Sequence, residues 1–126
     1  MKLKNYFQLL LLLIVGFSCG KKTENFNSDF NLYKDYIHNF SSGLVSTKTD
    51  IRVVLAFDNK EWKVNQELDS DLFSISPSVK GKVVALSANT VAFIPSEKLK
   101  QDTEYQITFH LDEVKDVPKT LKKFNF

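Results

Sequence analysis

The stretch YQITFHLD, residues 105–112, decides the fold of this chain. Apolar and polar side chains alternate strictly along it, which is the period of a β-strand with one buried and one solvated face. The apolar set comprises Tyr105, Ile107, Phe109 and Leu111, and the polar set comprises Gln106, Thr108, His110 and Asp112. Such a strand is typical of an antiparallel sheet that packs on one side only.

Several shorter apolar runs also predict strands. They cover residues 51–57, 72–75, 82–86 and 91–94, and residues 119–126 begin a final strand that is either complete or truncated. Pro77 and Pro95 end two of these runs, because proline cannot donate a hydrogen bond to a neighbouring strand. The short interval around Asn89 predicts a hairpin between the third and fourth runs. Six or seven short strands without a long amphipathic helix predict an all-β fold, namely an antiparallel β-sandwich.

Tyr105 has two interpretations within that fold. It follows Leu99 and a turn and opens a strand, as the tyrosine of a tyrosine corner does. Alternatively, it is a core aromatic residue whose hydroxyl lies at the rim. The sequence leaves both interpretations open.

The N-terminus has the features of an export signal. Lys2 and Lys4 precede an apolar stretch at 9–15. This stretch is too short to span a bilayer, which needs about 20 apolar residues, and small residues follow it, as in a signal peptide. We therefore predict a signal peptide over residues 1–18, whose apolar part forms a signal or anchor helix ahead of the sandwich.

Cys19 is the predicted lipid-attachment residue. It is the only cysteine of the chain, so an exported domain would have no internal disulfide partner for it. The run from Gly16 to Cys19 resembles a bacterial lipobox, from which Phe17 departs. The resemblance implies three acyl chains on Cys19, which anchor a protein far more firmly than one chain does. Plain secretion after cleavage behind Ser18, and an uncleaved membrane anchor, are the alternatives.

The mature chain divides into a leader and one domain. Residues 19–35 are rich in polar residues and predict a flexible tether, and residues 36–126 form the sandwich domain, which is large enough to bury a core without disulfides. A short helix is the alternative for part of the tether, although its Asn, Ser and Asp residues are poor helix formers. The apolar face of that helix would comprise Phe26, Phe30, Tyr33 and Ile37.

The charge balance argues against a nucleic-acid partner. The chain has 17 basic and 15 acidic residues, and removal of Lys2 and Lys4 with the signal leaves 15 of each. A neutral domain has no electrostatic footprint for nucleic acid. The C-terminal lysines at 115, 119, 122 and 123 are typical of a protected strand edge.

No set of residues amounts to an active site. His38 and His110 are the only histidines, and neither has a recognisable nucleophile and orienting partner. Calcium could be offered oxygen ligands by Asp69, Asp71, Asp112, Glu113 and Asp116, but their spacing matches no known calcium loop. Zinc spacing and a glycine-rich phosphate loop are absent from the sequence. We therefore expect a non-catalytic protein with no metal and no cofactor.

Several motifs follow one another along the domain. They are FSSGLVS at 40–46 before IRV at 51–53, LFSISPSVKGK at 72–82, TVAFIP at 90–95 with Leu99 and Tyr105, and VPKTLKKF at 117–124. In this order they resemble the N-terminal Ig-like (macroglobulin) domain of Bacteroidetes-type lipoproteins of the bacterial alpha-2-macroglobulin family. The first pair corresponds to the first two strands of that domain. Similar patterns occur in bacterial Ig-like domains of the SbsA type, and the last motif favours the macroglobulin lipoproteins.

The resemblance implies an Ig-like sandwich and a role in the cell envelope. The whole proteins trap proteases through a bait segment and often a Cys-x-Glu-Gln thioester. This chain has neither feature, since Cys19 precedes Gly20, Lys21 and Lys22. The expected function is therefore that of the membrane-proximal module of such an inhibitor. Its expected partners are the membrane, through the lipid anchor, and further macroglobulin domains or proteases. The alternative is a stand-alone Ig-like lipoprotein that binds an envelope or surface ligand.

The residues after Cys19 also indicate a location. Gly20 is not the aspartate that retains lipoproteins in the inner membrane of enterobacteria, which favours the outer membrane. The following lysines lack the acidic run associated with surface export. We expect the periplasmic face of the outer membrane, with surface exposure as the alternative.

Overall fold

The computed structural model describes residues 25–126. Residues 1–24 lie outside the described residues. They comprise the predicted signal peptide over 1–18, Cys19 and the start of the predicted tether. Eight strands are found between residues 25 and 126: β1 (Ile37–Phe40), β2 (Ile51–Leu55), β3 (Gln66–Leu68), β4 (Phe73–Ser76), β5 (Gly81–Ala85), β6 (Thr90–Pro95), β7 (Gln106–His110) and β8 (Lys123–Asn125). Short 3₁₀ helices cover Phe30–Tyr33, Ser70–Leu72, Leu111–Glu113 and Lys119–Leu121. None of the helices in this part of the chain has the length and apolar character needed to cross a bilayer.

The strands form two antiparallel sheets. One sheet has the order β1-β2-β6-β5-β3, and the other has the order β4-β7-β8. Constant-type immunoglobulin domains place strands A, B, E and D in one sheet and strands C, F and G in the other. If the strands other than β3 are lettered A to G along the chain, the order β1-β2-β6-β5 is A-B-E-D and the order β4-β7-β8 is C-F-G. The remaining strand, β3, extends the first sheet at its edge. The prediction of an all-β, Ig-like antiparallel sandwich is confirmed.

The alternating stretch forms the central strand of the smaller sheet. Ile107 and Phe109 on β7 are buried, as is Leu111 directly after it, whereas the residues between them are more exposed. Phe109 lies opposite Phe73 of β4 and Phe124 of β8. The buried face of β7 therefore packs into the core, and its other face is open to solvent.

The predicted hairpin is also present, with β5 paired antiparallel to β6. The second strand ends at Leu55 rather than at residue 57, because the chain bends at 56 and 57. The short strand β3 was not predicted. Its Gln66 and Glu67 are exposed and have no strand preference of their own, so pairing with β5 is what holds them extended.

The first strand differs from the one that the family resemblance implied. Residues 40–46 were expected to form it, but β1 is Ile37–Phe40 and residues 41–50 form a loop. Gly43 in this loop has a φ of 71°, a left-handed conformation that glycine adopts without steric cost. The Ser-Ser-Gly sequence therefore turns the chain where the resemblance implied an extended segment.

Five aromatic rings form a cluster at one edge of the core. This aromatic cluster comprises Phe30, Tyr33, Phe40, Phe124 and Phe126. The ring centroid of Phe124 lies 4.9 Å from those of both Tyr33 and Phe40 and 5.4 Å from that of Phe126. Because Phe40 belongs to one sheet and Phe124 to the other, their edge-to-face contact joins the two layers of the sandwich.

Residues 28–33 cover the outer edge of β8. The backbone N–H of Ser28 donates to the carbonyl of Asn125 at 2.9 Å, and the Ser28 hydroxyl accepts from the Asn125 N–H at 3.0 Å. The Tyr33 hydroxyl donates to the carbonyl of Lys123 at 2.7 Å. Backbone groups on an unpaired strand edge invite pairing with another chain, and these bonds occupy three of them.

The covering segment belongs to the predicted tether. It precedes residue 36, where the domain was predicted to begin, and its Tyr33 is only 4% exposed. The short helix that was the alternative here is present only as the 3₁₀ helix Phe30–Tyr33, which the Asp29 side chain caps by accepting from the Asn31 N–H at 3.0 Å. The described part of the leader thus packs against the sandwich.

We expect the substitution Phe124→Ala to lower the free energy of unfolding by about 3–5 kcal/mol, because it opens a cavity among four other rings. Urea denaturation of residues 25–126 measures this loss. Leu32→Ala is the matched control, since Leu32 is 62% exposed and its truncation should cost at most about 0.5 kcal/mol. Equal losses in the two variants would contradict the central role of the Phe124 ring.

Tyr33→Phe should lower the free energy of unfolding by about 1 kcal/mol, because it keeps the buried ring and removes only the bond to the Lys123 carbonyl. Tyr36→Phe serves as the control, since the half-buried Tyr36 packs on the same core through its ring. Thermal unfolding of both variants checks the prediction. An unchanged melting temperature for Tyr33→Phe would show that the hydroxyl adds nothing to the covered edge.

Candidate interaction surface

A cleft of about 680 Å³ opens at one end of the sandwich. Two loops form most of its wall, residues 41–47 between β1 and β2 and residues 99–105 ahead of β7. Its apolar lining includes Ile51, Leu99, Ile107 and Phe126. A cleft of this size lies within the range of small-ligand sites, and we call this end of the molecule the cleft end.

Backbone hydrogen bonds hold the two loops in place. The Leu99 N–H donates to the carbonyl of Thr47 at 2.8 Å, which ties one loop to the other. The Tyr105 hydroxyl accepts from the Lys100 N–H at 3.0 Å. This bond to the backbone just upstream is the geometry of a tyrosine corner, so the structure forms the first of the two arrangements that the sequence left open.

The loop 41–47 exposes two aliphatic side chains. Leu44 is fully exposed, at 106%, and Val45 is 47% exposed. We call these two residues the apolar tip. Sequence reasoning missed the tip because the motif around it was assigned to a strand, in which one of the two side chains would face the core. The run Ser42-Gly43 ahead of them was the available signal for a turn.

The N-terminal and C-terminal ends of the described chain meet at the same cleft end. Asn27 and Phe126 both line the cleft. Ser28 pairs with Asn125 one residue further into the sandwich. The chain that precedes residue 25 therefore joins the domain at the cleft end.

His110 makes one contact of chemical interest. Its Nε2 atom lies 2.8 Å from the hydroxyl oxygen of Ser74 on the neighbouring strand β4. Both residues lie on the outer face of the smaller sheet rather than in the cleft. Among residues 25–126 no carboxylate is hydrogen-bonded to this ring, so the pair lacks the orienting group of a catalytic triad. His38 lies exposed on β1.

Two of the acidic residues that could offer calcium ligands have structural roles instead. The Asp69 carboxylate accepts from the Asp71 N–H at 2.8 Å and caps a 3₁₀ helix. Asp112 forms an ion pair with Lys122 at 3.7 Å. Within the described range no three His, Cys, Asp or Glu side chains are grouped so that they could hold a metal ion.

Three of the C-terminal lysines have different surroundings. Lys115 places its Nζ atom 4.5 Å from the centre of the Phe57 ring, a cation–π contact. Lys122 pairs with Asp112, and Lys123 lies exposed on the edge strand β8. Of the four lysines only Lys123 lies in the strand edge that was predicted for the group, and Lys119 begins the 3₁₀ helix ahead of it.

Comparison with known proteins gives one match. Residues 38–126 match the family model described as the bacterial Ig-like domain. Neither the curated proteins nor the solved structures contain a match to the chain. The matched range covers all eight strands except the first residue of β1.

The tyrosine corner predicts a local change in amide exchange. In Tyr105→Phe the Lys100 amide should exchange with solvent roughly five- to ten-fold faster, because a hydrogen bond of about 1 kcal/mol is lost there. Hydrogen exchange followed by NMR measures this rate. The neighbouring Leu99 amide, bonded to Thr47, is the internal control and should change little. Equal acceleration at both amides would indicate global destabilisation instead of a local corner.

Proposed function

We propose that this chain, which belongs to the bacterial Ig-like domain family, is a non-catalytic interaction module that a lipid on Cys19 anchors in the bacterial envelope. The order of features along the chain carries the proposal: a positively charged and apolar N-terminus, then a single cysteine behind small residues, then an Ig-like domain. An apolar run that is too short to span a bilayer fits an export signal. The domain behind it would then work outside the cytoplasm.

A non-catalytic role fits the chemistry of the described surface. The Ser74–His110 pair lies on an open sheet face, where nothing excludes water or positions a substrate. Ig-like sandwiches more often bind partners with the loops at their ends. The cleft end, with its two tied loops, is the surface that suits such binding here.

Our finer proposal is the membrane-proximal domain of an alpha-2-macroglobulin-like protease inhibitor. Its support is the order of the motifs at 72–82, 90–95 and 117–124. The chain contains neither a bait segment nor a thioester motif, so in this role it supplies attachment and contacts while other domains trap the protease. Its partners would be those domains, or proteases held by them.

A stand-alone lipoprotein that binds an envelope or surface ligand is the second candidate, and the covered edge of β8 favours it. Ser28 and Tyr33 occupy backbone groups that a neighbouring domain would otherwise need to shield. The sandwich can therefore be stable without a second domain against that edge. For either candidate we propose the periplasmic face of the outer membrane. Position 20 is glycine and not the aspartate that retains lipoproteins in the inner membrane, and the lysines at 21 and 22 stand where an acidic run would indicate surface export.

The decisive experiment is mass spectrometry of the N-terminal peptide from a membrane fraction. We expect a peptide that begins at Cys19 and carries three acyl chains. The variant Cys19→Ser should lose both the acyl mass and the membrane association, because the acyl chains supply the main attachment in this proposal. A mature protein that begins at Met1, or a serine variant that stays in the membrane fraction, would contradict the anchor.

The genomic sequence that follows the codon of Phe126 separates the two candidates. In-frame Ig-like repeats and a Cys-x-Glu-Gln motif would support the macroglobulin lipoprotein. A stop codon followed by unrelated genes would support the stand-alone module.

A further inference from the structure

We infer that the anchored protein rests on the bilayer with its cleft end, and that the apolar tip, Leu44 and Val45, inserts among the lipid headgroups. The inference depends on the proposed lipid anchor at Cys19 and adds an orientation and a second membrane contact to it. Three observations carry it: the exposure of the tip, the place where the chain leaves the described structure, and the balance of charges around the tip.

The tip contains Leu44, the most exposed large hydrophobic residue between residues 25 and 126. A leucine at 106% exposure beside a valine at 47% contacts water rather than the core. Both side chains project from a loop that the Leu99–Thr47 hydrogen bond holds in place. Two neighbouring aliphatic side chains form a smaller surface than the apolar patches of several hundred Å² that mark protein interfaces. A membrane interface accommodates such side chains at the boundary of headgroups and acyl chains.

The length of the connection to Cys19 keeps the cleft end near the bilayer. Eight residue steps separate Cys19 from Asn27, which lines the cleft. A fully extended chain spans at most about 3.6 Å per residue, so Asn27 lies within about 29 Å of the anchored residue. The acyl chains would hold Cys19 itself at the membrane surface. The tip shares the cleft wall with Asn27 and is therefore within reach of the same surface.

An orientation with the opposite end of the sandwich on the bilayer would require residues 19–27 to be more extended. Strand β2 runs from Ile51 in the cleft to Leu55, a rise of about 14 Å, and the loop 56–65 lies beyond it. For that far end to face the membrane, residues 19–27 would have to run back along the sandwich, and the length of β2 alone would take about half of their reach of about 29 Å. This costs conformational entropy that the cleft-down orientation avoids.

The charges around the tip favour a neutral lipid surface. The connections that contain the two loops, residues 41–50 and 96–105, have the basic residues Lys48, Lys98 and Lys100, and their acidic residues without an ion pair among residues 25–126 are Glu97, Asp102 and Glu104. The fourth acidic residue of these loops, Asp50, is paired with Arg52 at 3.3 Å. These charges balance, and Lys80, whose carbonyl accepts from the Ser96 N–H at the same end, adds one positive charge, so the attraction to anionic headgroups is weak. The aliphatic tip should therefore insert into a zwitterionic phospholipid surface without electrostatic help.

The test uses the full acylated protein in phosphatidylcholine vesicles. A polarity-sensitive dye is attached to Leu44→Cys in one variant and to Val64→Cys in the other. Val64 is a matched control, because it is an exposed aliphatic residue, at 66%, in the loop 56–65 of the far end. The acylated sulfur of Cys19 is a thioether that does not react with the dye, so each variant carries one labelled thiol. Emission wavelength and quenching by nitroxide-bearing lipids report insertion, and the acyl mass on Cys19 is measured on the same samples.

We expect the dye at position 44 to emit at shorter wavelength and to be quenched by the nitroxide lipids, and the dye at position 64 to do neither. The difference should persist when salt is raised from about 0.1 M to about 1 M, which shortens the Debye length from about 10 Å to about 3 Å. Loss of the signal at high salt would contradict insertion by the aliphatic tip alone.

Four other outcomes would overturn the inference. Acylated Cys19 with no quenching at position 44 would leave the lipid anchor intact and remove only the docking face. Equal quenching at positions 44 and 64 would exclude the proposed orientation. A wavelength shift at 44 without quenching, together with a doubled mass by light scattering in detergent, would show that a second copy of the chain covers the tip. If Cys19 carries no acyl mass, both the proposed function and this inference fail.

Discussion

The contact between Phe124 and Phe40 is the constraint on which the sandwich depends. Phe40 lies in the sheet β1-β2-β6-β5-β3 and Phe124 in the sheet β4-β7-β8, and their ring centroids are 4.9 Å apart. Phe124 is also the residue against which Tyr33 packs, and the Tyr33 hydroxyl closes the edge of β8. One ring therefore couples the pairing of the two layers to the docking of the N-terminal segment.

Much of the fold could be predicted because the buried and solvated faces of its strands alternate in the sequence. The run 105–112 defined a central strand, and the hairpin of β5 and β6 followed from short apolar runs around a turn. β3 could not be predicted, since its residues are extended only because β5 pairs with them. Tyr33 could not be placed in the core, because the segment around it is rich in Asn, Ser and Asp and the partner that buries it, Phe124, lies about 90 positions away in the chain.

The candidate interaction surface was harder to predict than the fold. The cleft is formed by two loops that are distant in sequence, and a single backbone bond between Leu99 and Thr47 brings them together. Leu44 and Val45 look like core residues in the sequence, and only the left-handed turn at Gly43 carries them to the surface. Cys19, by contrast, was inferred from local order alone, because a signal is recognised by short-range features that need no tertiary structure.

The antiparallel course of Ser28 beside Asn125 has a mechanical consequence. Because residues 25 and 126 lie at the same end, a pulling force applied between them would load the Ser28–Asn125 hydrogen bonds first and one at a time, as in unzipping. Opening would then proceed toward Tyr33 and expose Phe124 before either sheet is sheared. Under tension this module would open first where residues 28–33 contact β8, while β2, β6 and β5 stay paired.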